Sequence, residues 1–243
     1  MSATFRKHDR NVPADFFEVE AAGLEWLRET GTVAVPRVIS VGADHIELEH
    51  IERATWTSEV DERFGRELAV MHRAGAPSFG GTRGAYIGPL AMPNDPDDRW
   101  PAFYAQQRII PFLRGVPAGS RGPFERVLAR IDELAGPPEP PARIHGDLWR
   151  GNVLADRNGT PWLIDPAAHG GHRETDLAMM RLFGGFGDRC FAAYDEAYPL
   201  ADGWQDRVGL HQLHPLLVHA VLFGGAYIDQ ALAAARRSLT GFS

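Results

Sequence analysis

The chain has a single cysteine, Cys190, among its 243 residues. No disulfide can form within it, which fits a reducing compartment and argues against the small disulfide-stapled secreted scaffolds. Long apolar runs are also scarce. The longest, Leu213 to Ile228, is interrupted by His214, His219, Gly224 and Gly225. A bilayer-crossing helix needs about 20 mostly apolar residues, so this stretch reads as a buried core helix. Met1 to Arg10 is polar and charged and does not read as a secretory signal. Positive charge is in deficit: 25 Lys and Arg against 32 Asp and Glu leave a formal net charge of −7. A broad nucleic-acid footprint is therefore not expected, although a local basic groove is compatible with that balance. Internal repeats and low-complexity tracts are lacking too.

What is present is ordinary for a folded chain, with 44% hydrophobic and 23% charged residues. The length suits one large domain or two small ones. Phe5 to Lys7 reads as the tail of a strand. Pro13 to Asp15 opens a helix, with Asp15 and Glu18 spaced as a capping box and Phe17, Ala21, Leu24 and Trp26 or Leu27 as its apolar stripe. Gly31 stops it. Val33 to Val41 and His45 to Ile51 read as strands joined by a turn at Gly42-Ala43-Asp44. Ser58 to Ala74 is a second amphipathic helix, with Val60, Phe64, Leu68 and Met71 on one face. Gly75 to Asp98 is punctuated by Gly and Pro and is long for a connecting loop. Helical patterns resume over Trp100 to Leu113 and Pro123 to Leu134. Pro137 to Pro141 is a stiff spacer. Short strands around Ile144 and at Trp162 to Ile164 follow, then mostly helix. The expected division is a small sheet-containing lobe over 1–52 and a larger, mainly helical lobe over 53–243, an α+β arrangement.

The densest chemical signal is His145-Gly146-Asp147-Leu148-Trp149-Arg150-Gly151-Asn152. A short strand, a turn at Asp156 to Gly159 and a second strand lead to Asp165-Pro166. A hairpin brings its ends together, so Asp147, Asn152 and Asp165 can converge. Phosphoryl transfer needs one carboxylate to accept the attacking hydroxyl's proton, and hard oxygen ligands to hold Mg²⁺ on the phosphates. As isolated residues, the same three are common turn formers. Glu20 lies on or beside the apolar stripe of its helix and needs a cationic or hydrogen-bonding partner. Lys7 can supply one; Arg6, His8 and Arg10 could compete. His211, His214 and His219 share a helical segment without a cysteine or clear carboxylate beside them and read as core or surface histidines. Gly80 to Gly84 lacks the spacing of a dinucleotide fingerprint and reads as loop.

The His145 to Asn152 string, followed by Ile164-Asp165, resembles the catalytic loop and metal motif of the protein-kinase-like phosphotransferases. The version is that of aminoglycoside, choline and related small-molecule kinases. Neighbouring strings narrow the resemblance to the fructosamine kinase (ketosamine-3-kinase) family. They include Asp147-Leu148-Trp149, Ile164 to Ala167, Arg173 to Met179, Leu182 to Phe186, Tyr86-Ile87-Gly88, Trp100 to Tyr104 with Arg108, and Leu222 to Tyr227. The likeness runs from about Phe5 to Tyr227. It implies a two-lobe kinase fold using ATP and Mg²⁺. Asp147 would be the catalytic base and Asn152 and Asp165 the metal ligands. Lys7 would contact the phosphates, with Glu20 orienting it. Glu49, His50 and Ile51 would form the hinge that meets the adenine edge through backbone groups. Asp176 would brace the catalytic loop, His145 would hold loop backbone, and the region of Gly80 to Gly84 would help wall the acceptor pocket. The implied activity is phosphorylation of a ketosamine hydroxyl, of fructosamine or ribulosamine type, on a small molecule or a protein lysine, serving deglycation repair in the cytoplasm. No nucleic acid or membrane partner is implied.

Three features depart from this pattern. Only six residues precede Lys7, where the fold normally has two strands and a glycine-rich loop over the phosphates, so the small lobe reads as lacking them. Arg150 stands where a small polar residue is common. His169 and His172 replace more typical aromatic and acidic residues. Three alternatives follow. One is a related kinase of aminoglycoside or choline type. Another is a kinase-like binding protein impaired by the missing loop. A distant one is a metal-dependent hydrolase using His145, Asp147, Asp165 and His169.

Overall fold

Alternating apolar residues build a small antiparallel sheet near the start of the chain. The computed structural model describes residues 3–240. Strands β1 (Thr4–His8), β2 (Val38–Gly42) and β3 (His45–Glu49) lie in the order β1-β3-β2, with Lys7 opposite Ile46. The strand expected from Val33 begins only at Val38. Pro36 has no N–H for a ladder, and Ala34 makes only an isolated bridge to Trp162. Helix α1 (Phe16–Arg28) packs its buried stripe of Phe17, Ala21, Leu24 and Leu27 on this sheet, and Glu20 is buried with them. The expected capping box does not form. The Asp15 side chain makes no cap hydrogen bond; it accepts one from the Tyr86 hydroxyl at 2.6 Å instead.

Helix α2 (Ser58–Arg73) starts at Thr57, whose hydroxyl accepts from the backbone N–H of Val60. The Gly75 to Asp98 stretch holds a hairpin, β4 (Ala85–Ile87) and β5 (Leu90–Met92). The helical pattern from Trp100 begins as α3 (Trp100–Phe103), widens to a π turn over Tyr104–Ile109, and tightens to a 3₁₀ turn over Ile110–Gly115. Pro111 has no N–H to give the carbonyl of Gln107. That carbonyl accepts instead from Arg108 Nη1 at 3.1 Å. The pattern over Pro123 to Leu134 breaks at Arg130 into α4 (Gly122–Ala129) and α5 (Ile131–Leu134).

Strand β6 (Ala142–Ile144) pairs with β9 (His169–Gly171), and β7 (Val153–Ala155) with β8 (Pro161–Leu163), both antiparallel. Helices α6 (Glu174–Phe183), α7 (Asp188–Ala197), α8 (Trp204–His211), α9 (Leu213–Phe223) and α10 (Ala226–Ser238) complete the chain. The single helix expected over Leu213 to Ile228 is two, parted at Gly224-Gly225. Among the described residues no helix is long and apolar enough to cross a membrane.

The apolar cores do not part at residue 52. One joins Ile46, Leu48 and the α1 stripe to Phe64 and Leu68 of α2, Leu163 of β8, Leu177 of α6 and Tyr194 of α7. The other lies among α3, α4 and α8 to α10, around Phe103, Phe112, Phe124, Leu213 and Leu217. Between elements run buried ion pairs: Arg207 grips Glu174 at 2.6 and 2.9 Å, and Arg173 grips Glu139 at 2.6 and 2.7 Å. His172, Glu174 and His211 bring ligand atoms within 4.8 Å of one another. The Arg207 fork already neutralises that carboxylate.

Three histidines in these cores predict a pH effect. Burial holds His169 and His172 well below the usual value and His214 down to about 3. The positive charge of Arg108 adds to this at His169 and His214. Unfolded, each would bind a proton near pH 6.5; folded, it does not. Stability therefore falls as pH drops below that value, by about 1.4 kcal/mol per pH unit per histidine. The urea midpoint should be lower at pH 5.5 than at pH 7.5. Equal midpoints would contradict the buried neutral assignments.

Candidate active site

The loop after β6 is held by one buried carboxylate. Asp176, in the first turn of α6 and 1% exposed, accepts the backbone N–H of His145 at 2.7 Å on Oδ2 and that of Gly146 at 2.9 Å on Oδ1. Nε2 of His72 lies 3.2 Å from Oδ2. Gly146 has φ +80°, and a Cβ there would meet the carbonyl oxygen of Ala167 at 2.3 Å. Only glycine fits such a turn at so close an approach. The His145 ring ties the loop on its other side: Nδ1 accepts the N–H of Asp147 at 3.2 Å, and Nε2 lies 2.9 Å from the carbonyl of Ile164. His145 thus links the two ends of the β7–β8 segment, and its role is positional.

The hairpin brings together the three residues that the sequence proposes. Asn152 donates from Nδ2 to Asp147 Oδ2 at 3.0 Å and to the Asp147 carbonyl at 2.9 Å. The N–H of Ile164, next to Asp165, donates to the Asn152 carbonyl at 3.0 Å. Asp165 has φ +54°, the only non-glycine residue in the left-handed region among those described. Such strain costs of order 1 kcal/mol and persists where the surroundings over-determine it. Lys7 reaches in from β1. Its Nζ lies 2.8 and 3.0 Å from the two Glu20 carboxylate oxygens and 3.0 Å from Asp165 Oδ1. Arg6, His8 and Arg10 take no part. Gly23, one turn beyond Glu20, lets α1 close on the segment after Asp165, since a Cβ there would already touch Ala168 Cβ at 3.3 Å.

These side chains share one cleft of about 250 Å³, lined by Lys7, Glu20, Asp147, Trp149, Asn152 and Asp165. Burial lifts the Asp147 carboxyl above the usual value, against the opposing pull of His145, Asn152 and His219. Burial also lifts Glu20, against Lys7. Burial alone would lower Lys7, but the Glu20 and Asp165 carboxylates outweigh it and hold the ammonium above its usual value. The cleft therefore pairs a fixed cation with a desolvated carboxylate poised to take a proton.

The hinge candidates lie elsewhere. Glu49, His50 and Ile51 do not line this cleft. Glu49 N–H donates to the Arg37 carbonyl at 2.9 Å, and its side chain lies 3.4 Å from Arg37 Nε. His50 N–H donates to the Ala3 carbonyl at 3.2 Å. Arg150, His169 and His172, which depart from the family pattern, also lie outside the lining of this cleft. Arg150 donates to the Val153 carbonyl at 2.5 Å and lies 4.1 Å over the Trp56 ring. His169 and His172 are 5% and 3% exposed. His145 and His169 turn ring nitrogens to backbone carbonyls, at Ile164 and Ala167, rather than converging with the carboxylates. That arrangement does not suit a hydrolase metal centre.

Sequence reasoning missed one wall of the cleft. Ala85 to Gly88, on the β4 hairpin, line it, and the Tyr86 ring packs at a tilt against Phe16 with centroids 5.3 Å apart. The signal was available: two apolar triplets flank Gly88-Pro89, a turn dipeptide. Gly80 to Gly84, the expected wall, line a neighbouring cavity with α1.

Comparison with known proteins bears on the family and the fold. The chain is similar to a protein of Vibrio parahaemolyticus assigned as a ketoamine kinase, with 37% identity over 226 residues, 88% of this chain and 77% of the other. It is similar to a crystal structure from Thermobifida fusca assigned as a fructosamine-3-kinase, with TM-score 0.92 and 49% identity over 97% of this chain and 85% of that one. A choline kinase of Streptococcus pneumoniae shares the fold, with TM-score 0.62 and 16% identity over 98% and 85% of the two chains. The family profile described as fructosamine kinase matches residues 1–240. With a kinase-like fold and a profile match over residues 1–240, the chain belongs to the fructosamine kinase family.

Proposed function

We propose that this cleft transfers the γ-phosphoryl group of ATP to a hydroxyl of a ketoamine sugar. The observation that carries the reading is the Lys7 ammonium within 3.0 Å of both Glu20 and Asp165, in the same cleft as the Asp147–Asn152 pair. Asp147 orients the attacking hydroxyl and accepts its proton as the new oxygen–phosphorus bond forms and ADP departs. Lys7, held by Glu20, meets the phosphate oxygens. The donor set suits Mg²⁺: Asp165 offers carboxylate oxygen, and the Asn152 amide nitrogen is spent on Asp147 while its oxygen takes no hydrogen bond among the described residues. When bound there by Asn152 and Asp165, the ion neutralises phosphate charge. Most of the rate would come from positioning and charge complementarity.

In this reading residues 1–52 serve the nucleotide, with the Glu49 to Ile51 segment as the hinge, and 53–243 carry the catalytic loop and acceptor site. The Ile51 N–H, which makes no backbone hydrogen bond among the described residues, is the group free to meet an adenine edge. The product, a phosphorylated ketoamine, is more labile than its precursor, so the physiological role is deglycation repair. The buried lone Cys190 suits a cytoplasmic setting.

A panel of acceptors with ADP release as readout tests the proposal. Ribulosamine- and fructosamine-type ketoamines should support turnover that depends on Mg²⁺. Choline and aminoglycosides should not. Turnover with those and none with ketoamines would contradict it.

A further inference from the structure

Several large apolar side chains are exposed outside the cleft, and five aromatic rings form a row that starts inside it. Trp149, two residues after Asp147, lines the cleft and is 42% exposed. Its ring centroid lies 6.4 Å from that of Phe183, at the end of α6. Phe183 lies 5.2 Å from His219 of α9. His219 in turn lies 5.6 Å from Phe223 and 4.8 Å from Tyr227 of α10, which are 5.9 Å from each other. Phe183 is 38% exposed and Phe223, with 66%, is the most exposed large apolar residue described. Contiguous exposed aromatic surface marks a recognition site rather than a core.

The row is continuous with the cleft and begins on the side of the proton acceptor. The cationic end is elsewhere, where Lys7, Glu20 and Asp165 are locked together. An acceptor whose sugar hydroxyl meets Asp147 must project its remaining part away from the transferred phosphate. Trp149 lines the cleft together with Asp147, and Phe183 packs against it, so the rings that continue the row are within reach of that part. His219 is itself anchored, with Nδ1 2.8 Å from the Pro215 carbonyl. Flat apolar rings offer stacking and cation–π contact to an amine and to the apolar group it carries.

We propose that Phe183, His219, Phe223 and Tyr227 form a shelf for the amine-side portion of the acceptor, selecting ketoamines on amines that bear an aromatic or aliphatic group. This rests on the ketoamine kinase reading above and adds a second specificity determinant to it. The test compares the fructose ketoamine of hippuryl-lysine, which carries a benzoyl ring, with that of glycine. Both are measured for kcat/KM and, without nucleotide, for binding by calorimetry, in wild type, Phe223→Ser and Phe223→Tyr. Wild type should favour the hippuryl compound by about tenfold in both measurements. Phe223→Ser should erase that preference and leave the glycine ketoamine unchanged, with an unaltered melting temperature; Phe223→Tyr should restore it. Equal handling of the two compounds by wild type, or an equal loss on both in Phe223→Ser, would overturn the shelf. So would a change of oligomeric state in Phe223→Ser, because the patch would then be covered by a second copy. If binding shows the preference but neither compound is phosphorylated, the shelf stands and the assigned reaction fails.

Discussion

Asp147→Asn is expected to lower kcat by about 10³-fold while leaving the protein folded, since a positioned general base contributes roughly 10²–10⁴. The substitution keeps shape and keeps an oxygen to accept from Asn152 Nδ2, which lies 3.0 Å from Asp147 Oδ2. It removes the proton acceptor alone. Burial raises the Asp147 carboxyl, so the folded state binds its proton more tightly than the unfolded chain does. For an acid with a raised pKa, stability is fullest at low pH and declines as pH rises through the shifted value. At neutral pH the charge is therefore a burden that catalysis retains. The variant should melt at the same temperature as wild type or above it. Turnover within tenfold of wild type would remove Asp147 from the mechanism.

Asp176→Ala should produce the largest loss of stability. The carboxylate is 1% exposed and accepts three donors: the N–H groups of His145 and Gly146, and the His72 ring. Removing it strands two buried backbone donors and cuts His72 from its acceptor. The cost is about 3–5 kcal/mol, a large part of the 5–15 kcal/mol typical of folded proteins. Activity falls as well, because the His145 to Asp147 turn loses its anchor. Asp176→Asn keeps one acceptor oxygen and should lose less. Denaturant midpoints of the three proteins check this. A loss below about 1 kcal/mol in Asp176→Ala would mean that the loop is held by other contacts.

The gathering of these side chains in one cleft was legible because each member carried a local reason. Asp147, Asn152 and Asp165 flank a hairpin, and a hairpin must close its ends. Glu20 on a buried stripe demanded a cation, and Lys7 was at hand. The bracing role of Asp176 and His145 is likewise borne out by their hydrogen bonds. Other features depended on tertiary choices that no local pattern records. Asp15 and Glu18 have capping-box spacing, yet Tyr86, 71 residues away in the chain, takes the Asp15 carboxylate. The β4 hairpin is short and Gly-flanked, so it read as loop although it walls the cleft. The lobe boundary at residue 52 follows the change from strand to helix in sequence, whereas the first core continues across it, with Ile46 and Leu48 in one cluster with Phe64 and Leu68. His169 and His172 drew notice as departures from the family pattern. They are buried rings, which only packing could reveal.

The central claim is that this cleft moves phosphate from ATP to a ketoamine sugar with Asp147 as base. The most direct measurement is phosphorus NMR of the products formed from Mg-ATP and a ribulosamine or fructosamine acceptor, with wild type and Asp147→Asn side by side. The account predicts ADP and a new phosphomonoester on a sugar hydroxyl with wild type, and neither with the variant on the same timescale. ADP and inorganic phosphate without a sugar phosphate, or the same phosphomonoester at equal rate from Asp147→Asn, would contradict it.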